Sequence, residues 1–507
     1  MKKFLYFITA LIIASMLLAA CGPGQEEAAE NQVEEVEEAE EAEEAEEAEE
    51  EEEAEEAEEA EEAEEAMEKV QIRWYVGLGT GTDPNQVAIE EAVVEAFNAS
   101  QDTIELILEV VPYDSAKDTL ATMIASGNAP DIIGPVGWGG SNAFYGQWLD
   151  LTPYIEASGY DLTQFDSSLV EMYQTEEGQV GLPFAVFPAA VFYNTTLFDE
   201  AGLNYIPAEY GEMYVMPDGS EVEWNWDTLT EIAKLLTVDI NGNTSGSADF
   251  DKAQIVQYGY HPIWSGHPSY VGAFYGAAPI YGGEAGSYAA SIPDHWKVAW
   301  QWWYDGIWGD EPYIPNGAVA GSPEFGSSNT FGSGKIGMGI TNLWFTCCLG
   351  DLAGAGFEFQ FGILPSYDGM PHGRVDADTF RVWKGTAHPE EAFEVLTYLL
   401  GPEGVEPLVV GTPEEPGAYG AFPALPQFQQ AFIDSKSGQY PFVTTWDAII
   451  AGNAYPDVPS AEGYMPNWNE AWNRIQTFGD LMNNTEGLDL ATEIETLETD
   501  LGVIFNK

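Results

Sequence analysis

Aromatic rings and carboxylates are the ligand-holding groups this chain has in greatest supply. Its 507 residues include 16 Trp, 25 Tyr and 25 Phe, with 86 Asp and Glu against 15 Lys and Arg. A sugar ring presents an apolar CH face and a rim of hydroxyls. Aromatic faces bind the first, and carboxylates and amides bind the second. That composition suits a neutral polyol. It equally suits a cation, because aromatics and carboxylates together make cation–π boxes. Trp138 stands in Gly137-Trp138-Gly139-Gly140, where the glycines leave it few local neighbours, and it is expected to face a ligand. Asp83 closes the glycine-rich loop 77–83. Trp264 (near His261 and His267) and Trp468 (after Pro466-Asn467, with Tyr464 as its alternative) are further candidates.

Other chemistries lack their residues. Gly79-Thr80-Gly81 misses the third glycine of a dinucleotide fingerprint. Gly332-Ser333-Gly334-Lys335 has Asn329 and Ile336 where a phosphate loop needs Gly and Ser or Thr. The five His are scattered at 261, 267, 295, 372 and 388, so neither a zinc site nor any other metal or cofactor is expected. Asp239-Ile240-Asn241-Gly242-Asn243 reads as an Asx-turn loop, since the glycine and closing Glu of a calcium loop are misplaced. Cys347 and Cys348 are adjacent, and bridging them strains the peptide bond between them; two buried thiols are expected. A glycoside hydrolase needs two carboxylates at a set separation. Among so many acids such a pair always exists on paper. No nucleophile elbow or His–Glu metal motif accompanies it, so no enzyme is expected.

Charge excludes more. The net charge is −71. Twenty-seven of the acids precede residue 70, which leaves 59 acids against 12 bases beyond it. Phosphate backbones and anionic headgroups both require clustered Lys and Arg, so nucleic acid and acidic lipid are excluded as partners. Anionic small ligands are disfavoured unless a local site overrides the field.

The chain starts with Lys2 and Lys3, an apolar run over 4–20, and Leu18-Ala19-Ala20-Cys21. This is a signal segment ending in the lipobox of bacterial lipoproteins. Residues 1–20 are expected to be removed and Cys21 to carry lipid, which places the rest outside the cytoplasm, tethered to a membrane. Residues 21–69 repeat Glu-Glu-Ala with no opposing Lys, so helical neighbours repel. They read as an extended acidic linker.

From Val70 the pattern becomes globular. Strand, helix, strand, helix and strand follow one another over 70–133, the order of an open, mostly parallel α/β sheet. Ligands on such sheets sit beyond the carboxyl ends of the strands, at loops 77–83 and 134–142. The run 186–193 carries Pro188, which removes a ladder donor and marks an edge or crossing strand.

Residues 183–200, from Pro183-Phe184-Ala185 through Phe192-Tyr193-Asn194 to Asp199-Glu200, resemble the signature of the family 1 extracellular solute-binding proteins. These are the sugar and oligosaccharide receptors of ABC importers. Similar pieces follow the family's order: Asn128-Ala129-Pro130-Asp131-Ile132-Ile133, Trp226-Asp227-Thr228-Leu229, Gly334-Lys335-Ile336-Gly337-Met338 and His388-Pro389-Glu390-Glu391-Ala392-Phe393. The resemblance implies a two-lobed periplasmic-binding-protein-like fold of type II, with a ligand cleft at the hinge. Lobe I would span about 70–185 and 355–403, and lobe II about 190–353 and 405–507. It also implies a monomer serving an ABC permease. It places Trp344 after the Gly-Lys-x-x-Met strand as a stacking ring, Phe187 at the hinge, and Asp376 and Asp378 in a ligand loop.

Overall fold

A computed structural model describes residues 69–507 apart from 176, 327, 328, 413, 414, 416, 461 and 462. The signal segment, Cys21 and nearly all of the acidic linker lie outside the described residues. No described helix is long and apolar enough to cross a membrane.

Ten strands form the main sheet: β1 Val70–Val76, β2 Ile104–Val110, β3 Ile132–Val136, β4 Ala185–Asn194, β5 Val238–Asp239, β6 Ile255–Tyr260, β7 Ile336–Asn342, β8 Phe359–Gly362, β9 Val375–Val382 and β10 Phe422–Pro423. Their order is β2-β1-β3-β9-β4-β7-β6-β5, with β8 and β10 also paired to β4. The sheet is mixed. β1 runs parallel to β2 and β3, and β6 parallel to β7, as strand–helix–strand connections require. The strands in the middle are antiparallel: β9 to both β3 and β4, and β4 to both β7 and β8. They are antiparallel because the chain crosses the sheet and later returns through it. β4 is a crossing strand and not an edge. Its first half, 185–188, pairs with β9 and β10; its second half, 189–194, pairs with β7 and β8. The missing donor of Pro188 falls at this changeover, where the next amide, Ala189 N, donates to Arg374 O at 2.9 Å. The second segment expected for lobe I, from about 355, begins with β8, which pairs with the second half of β4. β9 is the strand that joins β4 to β3.

Helices of eleven or more residues are α1 Pro84–Ser100, α2 Tyr113–Ala125, α3 Trp226–Leu236, α4 Asp294–Trp308, α5 Pro389–Leu400, α6 Pro426–Gln439, α7 Trp468–Asn484 and α8 Leu490–Ile504. Helix α3 shows how they dock. Asn225 caps it by accepting from Thr228 N at 2.9 Å, and Trp226, Leu229, Ile232, Ala233 and Leu236 form its buried stripe. It lies so close to β6 that a Cβ on Gly259 would strike the Ala233 carbonyl.

Two large cores cover the sheet. One joins β1–β3 to α5 and continues through 405–449; the other joins α3 and α4 to 465–505. β4 serves both by strand alternation. Ala190 and Phe192 point into the first, and Ala189, Val191 and Tyr193 into the second.

Helix α1 carries an acid on its buried stripe. Glu90 is fully buried with Val93 and Phe97; Oε1 accepts from the Tyr419 hydroxyl at 2.7 Å, and Oε2 has no described partner. Burial pushes its carboxyl up to about 7, with the Tyr419 bond opposing and Glu91 adding. In the unfolded chain the group ionises near its ordinary 4.5. The folded state is therefore favoured fully below that value, and the advantage is lost as pH rises through 7. Glu90→Gln keeps an acceptor for Tyr419 and removes the ionisation. It is expected to raise stability by about 2 kcal/mol at pH 8 and to change it little at pH 4. Urea unfolding at the two pH values checks this; an equal effect at both would contradict it.

Candidate functional site

A cleft of about 1690 Å³ opens where the sheet's carboxyl-end loops meet the crossing strands. Its first wall begins at β1. Loop 77–83 leads into α1, where Asp83 is the N-cap, accepting from Asn85 N at 3.0 Å. Gln86 completes the capping box and then ties the rim together. Its Oε1 accepts from Gly81 N at 2.9 Å, and its Nε2 donates to Thr80 Oγ1 and Ala418 O, both at 2.8 Å. The capping residues thereby fix segment 417–420 against the first rim loop.

The floor comes from β4 and β9. Phe187 lies at the changeover of β4, and Asp376 pairs with it across the strands. Asp376 is held at both oxygens. Oδ1 accepts from Arg374 Nη2, and Oδ2 accepts from Trp344 Nε1 at 2.9 Å. Asp378, two residues on, is buried; burial first and the neighbouring Asp376 second push its carboxyl up to about 7. A carboxyl so poised is a hydrogen-bond donor as well as an acceptor near neutral pH.

Aromatic faces make the sides. Trp344 sits in the two-turn 3-10 helix Leu343–Cys348, whose Leu343 and Phe345 are buried. Its ring lies nearly parallel to that of Trp264, with centroids 5.9 Å apart and planes at 11°. Trp264 is 43% exposed, so part of its indole faces the cleft. Facing elements supply Trp468 and Trp472, stacked with centroids 5.2 Å apart, with the His267 ring 3.6 Å from that of Trp472. Burial pushes His267 down to about 3, so this imidazole is neutral and acts as a flat backing for the indole. Tyr270 lies 3.5 Å over the Arg374 guanidinium, a cation–π contact beneath the floor.

Seven of the eight ligand-facing residues expected from sequence line this one cleft: Asp83, Phe187, Trp264, Trp344, Asp376, Asp378 and Trp468. Trp138 is not among its lining. Its indole stacks on Tyr173, with centroids 6.0 Å apart, and lies 5.8 Å from the Arg381 guanidinium. The flanking glycines serve close packing: a Cβ on Gly137 would sit 2.9 Å from Asp378 Oδ1, and one on Gly140 2.8 Å from Leu78 O. Tyr464 stacks on Tyr145, with centroids 4.1 Å apart, and is not part of the lining. Sequence reasoning missed Tyr270, Trp472, Lys117 and Lys436. Only Trp472 carried a signal, lying one helical turn beyond Trp468.

The cysteines correct an expectation. Cys347 and Cys348 are bonded to each other, and both line the cleft. The turn that buries Leu343 and Phe345 lifts them to the lip, with Cys347 exposed, so they are not core thiols. Asp239 accepts from the amides of Asn241, Asn243 and Asp251 at 2.8–2.9 Å. Burial alone would raise its carboxyl, but those bonds outweigh it and hold the group well below the usual carboxylate range. The loop is an Asx-type turn closed on its own backbone. No group of three or more His, Cys, Asp or Glu among the described residues is placed to hold a metal ion.

Comparison with known proteins gives concordant results. The sequence model for bacterial extracellular solute-binding proteins matches residues 81–406. A curated binding protein of Brucella abortus is 25% identical over 321 residues, 61% of this chain and 68% of its own length. Among solved structures, an ABC substrate-binding protein of Listeria monocytogenes in complex with cycloalternan superposes with a TM-score of 0.63 at 18% identity, covering 86% of this chain and 99% of that one. The cyclic alpha-maltosyl-1,6-maltose binding protein of Arthrobacter globiformis gives 0.60 at 18% identity, covering 86% and 99%. The fold shared with these proteins is the two-lobed one of periplasmic solute-binding proteins.

Proposed function

The chain belongs to the bacterial extracellular solute-binding proteins, and from that premise we propose that it captures an oligosaccharide in the cleft between its lobes and delivers it to an ABC permease. The observation that carries the reading is the pair of indole walls, Trp264 with Trp344 and Trp468 with Trp472, facing one cleft floored by Asp376 and Asp378. The indoles take the CH faces of successive sugar rings, and the carboxyl groups take hydroxyls. No bond is made or broken; the work is differential affinity for the closed state. β4, which pairs with β9 before the changeover and with β7 and β8 after it, is with β9 the proposed hinge. Diacylglycerol on Cys21 tethers the protein outside the cytoplasm, and the acidic linker holds the monomeric binding domain off the membrane.

Titration of the full chain with a panel of neutral and acidic oligosaccharides, read by tryptophan fluorescence, tests this. A saturable spectral shift with at least one oligosaccharide is expected, with none from spermidine and no release of reducing sugar. A response to spermidine alone, or hydrolysis of the added sugar, would overturn the reading.

A further inference from the structure

The cleft treats its charges unequally. Residues 69–507 hold 59 carboxylates and 13 Lys and Arg side chains, so a base has every chance of finding an acid. Among the described residues eight of the thirteen do, in ion pairs. Lys117 and Lys436 form no ion pair with a described residue, and both line the cleft.

Lys436, in the last turn of α6, is only 3% exposed. Its Nζ has one long hydrogen bond, 3.4 Å to Gln439 Oε1, and lies 5.7 Å from the Phe432 ring centroid. An ammonium removed from water without an anion is costly, and burial pushes this one down to about 8. It still keeps its proton at neutral pH. Lys117, on α2, holds its Nζ 5.4 Å from the centroid of the Trp468 ring, and burial lowers its basicity as well, against Asp118.

The acids of the same cleft are already engaged, hydrated or neutralised. Asp376 is bonded at both oxygens, Asp83 caps α1, and Asp378 is raised to about 7. Asp114, Asp118 and Glu415 are exposed to water. The charge buried in the cleft without an opposite charge is therefore that of Lys436, with Lys117 exposed to water beside it in the lining, although the chain as a whole carries −71. Screening confines that overall field to about 8 Å at physiological salt, so a local site can override it.

We propose that Lys436 is an anion-binding group of the cleft, with Lys117 a second ammonium of its lining, and that the ligand is an oligosaccharide bearing an anionic substituent, uronate or sulfate, on at least one ring. The proposal rests on the cleft being the sugar site argued above. The indoles stack the rings, as for any oligosaccharide, and the ammonium groups select the charged one.

The test is calorimetric titration of the full chain with trigalacturonate, a sulfated galactose trisaccharide and neutral maltotriose. One of the two acidic probes is expected to bind at least tenfold more tightly than maltotriose, and its identity distinguishes carboxylate from sulfate. Lys436→Gln and Lys117→Gln should each weaken the acidic probe by at least tenfold more than they weaken maltotriose. Because Lys436 is buried, its variant is read beside Lys117→Gln, at an exposed position where folding is not at risk, with unfolding midpoints for both. Maltotriose binding as tightly as both acidic probes, or both variants keeping wild-type affinity for them, overturns the anion subsite and leaves the sugar reading standing. No binding by any oligosaccharide sinks both.

Discussion

Replacing Arg374 by alanine is expected to lower unfolding free energy by about 3 kcal/mol, because it removes a buried cation and leaves the half-buried Asp376 carboxylate without it. Arg374 is 1% exposed. Its guanidinium bonds to Asp376 Oδ1 and to Asn342 Oδ1 (3.3 Å), and Tyr270 lies flat on it. Asn342 in turn donates to Phe187 O at 2.7 Å. One side chain thus joins β9, β7 and β4 at the changeover and supports an aromatic of the cleft. Lysine cannot supply the planar fork or the stacking, so Arg374→Lys should recover less than half of the loss. If the penalty is the orphaned charge, Asp376→Asn added to Arg374→Ala should recover part of it, a non-additivity expected of directly bonded partners. Urea unfolding at pH 7 of the three variants decides. An Arg374→Ala protein as stable as wild type would falsify the account of the floor.

How much of this was legible beforehand depends on how far each signal reaches along the chain. The strand at 186–193 was readable from its local signal, an apolar run with Pro188 in it, but that signal left edge and crossing open, and only the family resemblance placed it at the hinge. The loops after β1 and β3 were readable as a rim because the alternation of strands and helices places them at one end of a sheet. The antiparallel middle of the sheet was not readable. It depends on β9, nearly two hundred residues from β4, passing back beside it, and no spacing within either strand records that pairing. Trp138 misled for a similar reason. Its glycines suggested an indole without neighbours, yet Tyr173 stacks on it and Arg381 approaches it from distant parts of the chain.

Composition was a weaker guide than position. Trp296, Trp300 and Trp303 repeat at helical spacing in α4 and are core, although they count as much as Trp264 or Trp344 towards an aromatic-rich chain. What separates the two groups is periodicity. The core tryptophans recur on one helix face, whereas Trp264 and Trp344 stand singly in turns after strands. The cleft lysines had no sequence signal at all. Their meaning lies in the carboxylates they do not meet, which only three-dimensional proximity reveals.

Trp344→Ala is expected to weaken oligosaccharide binding about a hundredfold, ~2.8 kcal/mol, with a much smaller change in melting temperature. Buried aromatic anchors dominate binding when they are held in place before the ligand arrives. Trp344 is held from three sides. Its Nε1 donates to Asp376 at 2.9 Å, and its face lies along Trp264. Its turn is pinned by buried Leu343 and Phe345, by the Cys347–Cys348 bond, and by Asn329 Nδ2 donating to Cys348 O at 3.0 Å. Removing the indole takes away the stacking surface and leaves one Asp376 oxygen without the donor that orients it. Trp344→Phe keeps a ring but not the donor, so it should lose about tenfold. The loss from wild type to Trp344→Phe isolates the bond to Asp376, and in an Asp376→Asn background that loss should shrink; the further loss from Phe to Ala isolates the stacking surface. Calorimetric titration with an oligosaccharide that the wild type binds provides the reading. Affinity of Trp344→Ala within threefold of wild type would mean that the Trp264–Trp344 wall is not where the sugar stacks, and would leave Trp468 and Trp472 as the remaining stacking surface of the cleft.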